Sequence, residues 1–194
     1  MSKRERKIEA IHAAAAGRFA ERGYRGTRMA DLAADLGMQA GSLYYYFASK
    51  EELLVGIIES RVGRAVESLR AVIDGTGSFA EKVEAAIIGH LRAFQDDADI
   101  YSIFNFERLS EISPGLADQV DRPGRDYEAL WGRLLDAGIA SGELRPDLDT
   151  RVTVKAIVGL CNSVLLWYHP DGKRTIDEIA VEFSGVVLHG IVRT

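Results

Sequence analysis

Apolar residues recur every three or four positions along almost the whole chain, and no stretch keeps up the alternate-residue pattern of a strand. That periodicity predicts an all-α fold of about nine helices, without internal repeats. Ile8, Ile11, Ala15 and Phe19 form one stripe, closed by Gly23 as a C-cap. A short helix capped by Thr27 buries Met29, Leu32, Ala33 and Leu36 and stops at Gly37; another runs from Gly41 to Phe47. Ser49 and Glu52 read as a capping box, each satisfying the other's orphan amide, ahead of a long helix ending at Asp74-Gly-Thr-Gly77. Five further helices are expected: about 78–95, about 100–112, a long one reaching Gly142 and loosened near Pro123-Gly124, one opened by Asp149 or Thr150, and one from the Thr175/Glu178 capping box to about Ile191.

Charge is unevenly spread. The 194 residues carry a net −5, yet residues 1–50 hold nine Lys/Arg against five Asp/Glu, including Lys3, Arg4, Arg6 and Lys7. A basic head on an acidic body keeps a polyanionic partner in play for the head. One cysteine, Cys161, in an apolar run, excludes an intramolecular disulfide framework and a cysteine-based zinc site. The histidines (12, 90, 169, 189) lack metal-ligand spacing, so neither metal nor cofactor is expected. No apolar stretch reaches the roughly 18 residues of a membrane span. Arg18, Glu21 and Arg22 interrupt the Ala-rich amino terminus before a leader's apolar core can form, so a cytoplasmic protein with no membrane partner is expected.

Function concentrates in Thr27–Lys50, TRMADLAADLGMQAGSLYYYFASK. Two short helices joined by a glycine turn, the second too small to stand alone, make a helix-turn-helix whose second helix enters the major groove. Its outward face presents Gln39, Ala40, Gly41, Ser42, Tyr44 and Tyr45. Gln can pair with an adenine edge, and Ala or an aromatic edge can touch a thymine methyl. Thr27, Tyr46 and Lys50, with the helix amino termini, are placed to hold phosphates, which fixes register without reading sequence, and Arg28 is a further DNA-binding candidate. A pair of ordinary bundle helices with interface tyrosines is the plainer alternative.

The stretch FAERGYRGTRMADLAADLGMQAGSLYYYFASKEELL resembles the amino-terminal domain of the tetracycline-repressor (TetR) family, matching at Phe19, Gly23, Thr27, Leu32, Ala33, Gly37, Gly41, Leu43-Tyr44, Phe47 and Lys50-Glu51. The resemblance implies a homodimeric transcriptional regulator, usually a repressor, with a DNA-binding domain (1–50) and a ligand-binding and dimerisation domain (51–194). One short helix buries too little surface for specific affinity, so two heads on successive major grooves are needed. The last two helices are apolar on more than one face, and Gly159, Ser163, Val164, Phe183, Val186 and Val187 are the expected seam.

For the ligand, the body offers His90, Phe94, Phe104, Arg108, Trp131, Leu134, Asn162 and Trp167, a mostly apolar set with a few polar anchors. The carboxy-terminal 50 residues resemble the TetR branch that regulates fatty-acid and steroid-ring degradation in response to acyl-CoA thioesters, at Arg145-Pro-Asp-Leu-Asp149, Trp167-Tyr168, Pro170, Gly172, Thr175, Ile179, Phe183 and Gly190-Ile191. That resemblance implies an acyl-CoA or another lipophilic acid derivative as effector. A multidrug- or metabolite-sensing repressor is the alternative within the family. An all-α enzyme acting on a diphosphate or lipid substrate is the alternative outside it, though Asp96-Asp97-Ala-Asp99 has no second acidic cluster to face. The long helix from Glu51 to Ile73 is the expected link between ligand and DNA.

Overall fold

The computed structural model describes residues 2–96 and 117–192. Among them are eight α-helices: α1 (Lys3–Gly26), α2 (Met29–Asp35), α3 (Ala40–Tyr46), α4 (Lys50–Asp74), α5 (Phe79–Asp96), α6 (Ala117–Ser141), α7 (Thr150–Asn162) and α8 (Ile176–Ile191), with a 3₁₀ turn at Ser163–Leu166. The only pairing outside helices among the described residues is an isolated bridge between Leu144 and Val192. The expected helix near 100–112, with Phe104 and Arg108, lies outside the described residues. Two compact units emerge, one built on residues 2–61 with 117–122, the other on 62–96 with 123–192.

In the first unit, α1 opens on a Ser2/Glu5 capping box and buries Ile11, Ala15, Ala16 and Phe19. The expected stop at Gly23 appears as a break: its φ of 73° lies outside helical space, and the chain resumes helical turns to Gly26. α2 packs against α1 and α3. Its C-terminus closes with a Schellman pattern, Met38 N–H to Ala33 O at 2.8 Å and Gly37 N–H to Ala34 O at 3.0 Å, with Gly37 at φ +61°. Arg18 forks onto Asp35, Nη2 to Oδ1 at 2.6 Å, tying α1 to the end of α2; the guanidinium holds that carboxyl below its ordinary range. A seven-residue helix cannot sustain itself in water. α3 is held by one fully buried side chain, Leu43, worth roughly 2–3 kcal/mol of burial, and by Phe47 just beyond it.

α4 starts differently from expectation. Glu52 N–H donates to Ser49 Oγ at 3.0 Å, but the Glu52 carboxylate accepts from Ala48 N–H instead of Ser49 N–H. Leu53, Leu54, Ile57 and Ile58 then fill the core of the first unit. Gly56 allows the approach to α1, because a Cβ there would sit 3.1 Å from His12 Nε2 and 3.5 Å from the Phe47 ring.

The second unit is organised around α5, which runs along α8. Val83, Ala86, Ile87 and Leu91 are buried on α5, and Ile176, Ile179, Ala180, Ser184 and Val187 on α8. The Thr175/Glu178 box forms with both bonds present, at 2.8 and 3.2 Å, and Asp149 caps α7 by accepting from Arg151 and Val152 N–H. Arg92 and Asp177 fork together at 2.8 and 3.0 Å on the surface. α6 is continuous through Pro123. Its far end lies against α5 and the following loop, where a Cβ on Gly138 would come within 2.7 Å of the Phe79 ring and 2.9 Å of Leu144.

Candidate functional site

α3 spends almost nothing on its own unit. Leu43 is its one buried residue, while Gln39, Ala40, Gly41, Ser42, Tyr44 and Tyr45 are exposed side by side, Tyr45 at 79%. The tyrosines are large apolar groups left in solvent, and a Cβ on Gly41 would meet nothing within 4 Å. Gln39, Gly41, Ser42, Tyr45 and Tyr46 border an open concavity of about 680 Å³. Tyr45 and Tyr46 stack edge-on, ring centres 5.4 Å apart, and on their other side wall a cleft of about 730 Å³ lined by Lys3, Arg4, Arg6 and Lys7. The structure therefore gathers the expected reading residues on one face and adds a basic flank from α1. The cations were visible in the sequence as charge, but nothing in their spacing tied them to the tyrosines.

Two of the expected phosphate-holding side chains are used internally. Thr27 is buried, its hydroxyl donating to Gly23 O at 3.0 Å, and the N-cap of α2 is Arg28 instead. Lys50 Nζ donates to Tyr24 O at 2.7 Å and Thr27 O at 2.9 Å, and sits 4.2 Å from the Tyr24 ring centre. Tyr24 in turn donates to Glu51 Oε1 at 3.0 Å. The ammonium thus binds the carbonyls of the α1–α2 connection, which makes Lys50 a staple of the head. Arg28 is exposed and Tyr46 half-buried.

In the second unit, His90 is the polar centre of the core. Its Nδ1 lies 2.9 Å from Tyr127 Oη and its Nε2 3.1 Å from Asn162 Oδ1. The neutral ring with its proton on Nε2 satisfies both contacts, donating to Asn162 and accepting from Tyr127. Burial pushes the imidazole down to about 4, against a smaller upward pull from Asn162, so it is neutral at pH 7. Phe94, Trp131 and Leu134 are buried in the same unit. The Trp131 indole N–H, fully buried, has no hydrogen-bond acceptor among the described residues. A small cavity between Ala65, Leu69, Gly89 and Tyr127 measures about 10 Å³, room for one water. Burial pushes the Cys161 thiol up to about 12, which leaves it an inert apolar group.

Trp167 corrects an expectation. It is 47% exposed, its ring tilted against Phe183 at 6.2 Å and its Nε1 3.4 Å from Ser163 Oγ, so it belongs to an outer surface and not to the interior. That surface holds several of the expected seam residues. Val186 is 66% exposed, Leu166 71% and Val181 55%, with Phe183 half-buried and open space over Gly159, Gly185 and Gly190. Val164 and Val187 do not join it. Both are buried within the chain, because the helical period turns them toward the unit's own core.

Comparison with known proteins accounts for this arrangement. Residues 11–57 match the family described as bacterial regulatory proteins, tetR family, and residues 76–191 match the tetracyclin repressor-like C-terminal domain. The chain belongs to the TetR family. It is 28% identical over 179 residues to the HTH-type transcriptional repressor KstR2 of Mycobacterium tuberculosis, covering 92% of this chain and 90% of that one. The solved structure of that ketosteroid transcriptional regulator superposes with a TM-score of 0.83 at 26% identity, over 97% and 96% of the two chains. The fatty acid metabolism regulator protein of Bacillus subtilis is 24% identical, with 98% of each chain covered. The B. subtilis regulator FadR, solved in complex with stearoyl-CoA, shares the fold at a TM-score of 0.80 and 24% identity, over 93% and 97% of the chains.

As a TetR-family member, the chain is a DNA-binding transcriptional regulator of the repressor type and not an enzyme, which disposes of the diphosphate-enzyme alternative. The all-α expectation holds. No described helix is long and apolar enough to cross a membrane.

Proposed function

We propose that the chain is a homodimeric repressor whose α3 reads an operator in the major groove and whose body answers to an acyl-CoA thioester. The observation that carries the DNA half is the economy of α3: one anchor, Leu43, and six neighbouring exposed residues with no task inside the chain. Gln39 and Tyr44 are assigned to base edges, with Ala40, Gly41 and Ser42 allowing close approach; Arg28, Tyr45 and Tyr46 are assigned to the backbone. The exposed patch of Val181, Val186, Leu166, Trp167 and Phe183 is assigned to the partner subunit, which supplies the second head. In this scheme the DNA-reading domain covers 1–50 and the effector and dimer domain 51–194.

The effector half rests on likeness over nearly the full chain to a ketosteroid regulator and a fatty acid metabolism regulator. His90, Asn162 and the orphan N–H of Trp131 are the polar anchors assigned to the thioester or its acyl chain. An acyl chain held there shifts the chain between its DNA-bound and released states only by its differential affinity for the two. α4, whose residues fall in both units, is assigned to carry the change to the head. Thermal unfolding with a panel of acyl-CoA thioesters, free fatty acids and cationic drugs tests this. An acyl-CoA at 100 times its dissociation constant adds roughly 2.7 kcal/mol per site. Stabilisation by drugs alone, or by no member of the panel, contradicts the acyl-CoA assignment.

A further inference from the structure

The first turns of α1 carry Lys3, Arg4, Arg6 and Lys7 at the end of the helix where the backbone dipole is already positive. Lys3 and Lys7, and Arg4 and Lys7, are also close enough along the helix to repel. Glu5 Oε2 accepts from Ser2 N–H at 2.8 Å as part of the capping box, and Glu9 pairs with Arg61 at 2.8 Å. α8, by contrast, carries Asp177 and Glu178 in that turn. Lys3, Arg4 and Lys7 therefore add positive charge at a helix end whose dipole already disfavours it.

These four cations share a cleft of about 730 Å³ with Tyr45 and Tyr46, and the same two tyrosines border the concavity over Gln39, Gly41 and Ser42. Basic cleft and reading face are the two sides of one aromatic ridge. Building on the DNA-reading role of α3, we infer that Lys3, Arg4 and Lys7 hold the sugar–phosphate backbone of the operator beside the groove that α3 enters, with Tyr45 and Tyr46 between the two. Duplex DNA carries one charge per roughly 1.7 Å of axis, a density that turns clustered like charges from a cost into a gain by releasing counterions. The contact carries no base information, so it strengthens binding to every duplex alike.

The test is a triple variant, Lys3→Gln with Arg4→Gln and Lys7→Gln, which keeps helix-forming side chains on the surface. The probes are a duplex selected by the unaltered chain from a random pool and a shuffled duplex of equal length. The slope of log affinity against log salt is expected to fall by roughly 2.7 per head, at about 0.9 per cation. Both duplexes should weaken by the same factor, and the thermal midpoint should hold or rise, because three like charges leave the positive end of the helix. Returning Arg at positions 3, 4 and 7 should restore the slope. Tyr44→Ala is the reference: it should erase the preference between duplexes and keep the slope. An unchanged slope in the triple variant, with Tyr44→Ala still erasing preference, overturns the cleft assignment alone. No preference by the unaltered chain means α3 is not a reading helix, and the cleft assignment falls with it.

Discussion

Gly41 puts the assignment of α3 to DNA at direct risk, because stability and function should move in opposite directions there. It is the second residue of a seven-residue helix, and a Cβ added to it would meet nothing within 4 Å. Within the chain, glycine at this position only weakens the helix, by about 0.5–1 kcal/mol relative to alanine. Gly41→Ala should therefore stabilise the protein by about that amount, raising the thermal midpoint by roughly 1–4 °C for a chain of this size. On DNA, the added methyl occupies the surface that approaches base edges. A tenfold or greater loss of operator affinity, about 1.4 kcal/mol, is expected. Differential scanning fluorimetry and fluorescence anisotropy on the same preparations measure both. A variant that is more stable and binds its operator undiminished would refute the idea that Gly41 serves close approach. A destabilised variant would contradict the open space above it.

Lys50→Met should destabilise the head by roughly 2–3 kcal/mol, since two hydrogen bonds from a cation to backbone carbonyls are lost. Chemical denaturation measures it, and a change confined to DNA affinity would contradict the staple role. For His90, the folded chain binds its proton only near pH 4, whereas the unfolded chain binds it near 6.5. The residue's contribution is therefore level above pH 6.5. It declines by about 1.4 kcal/mol per unit as the pH falls toward 4, to a total of about 3 kcal/mol. His90→Gln should flatten the loss of stability between pH 6.5 and 4, and an unchanged slope would contradict it. Val186→Glu, which puts a charge on a residue that is 66% exposed, should split the dimer in sedimentation or native mass measurements without loss of helicity. A variant that remains dimeric would move the seam elsewhere.

Local chemistry made much of this fold legible in the sequence. The Gly37 turn, the Asp149 cap and the Thr175/Glu178 box depend on residues no more than five apart, and each forms as its residue types dictate. The exposed face of α3 was legible for the same reason, since a helical period with one apolar anchor fixes which side chains are left outside. Lys50 was not, because its acceptors lie 23 and 26 residues away on the chain. Val164 and Val187 were misassigned because a helix apolar on several faces does not reveal which face meets its own core. Trp167 was misassigned because an aromatic residue near the end of an apolar run can turn outward as readily as in; here it lies against Phe183.

Operator release is the most direct measurement of the whole account. A labelled duplex selected by the protein from a random pool is held near its dissociation constant and titrated with a long-chain acyl-CoA, with free coenzyme A and the matching fatty acid as controls. The account predicts that the acyl-CoA frees the duplex at a concentration that saturates the protein, and that neither control does so. Full occupancy by acyl-CoA with the duplex still bound, or release by all three compounds alike, would contradict it.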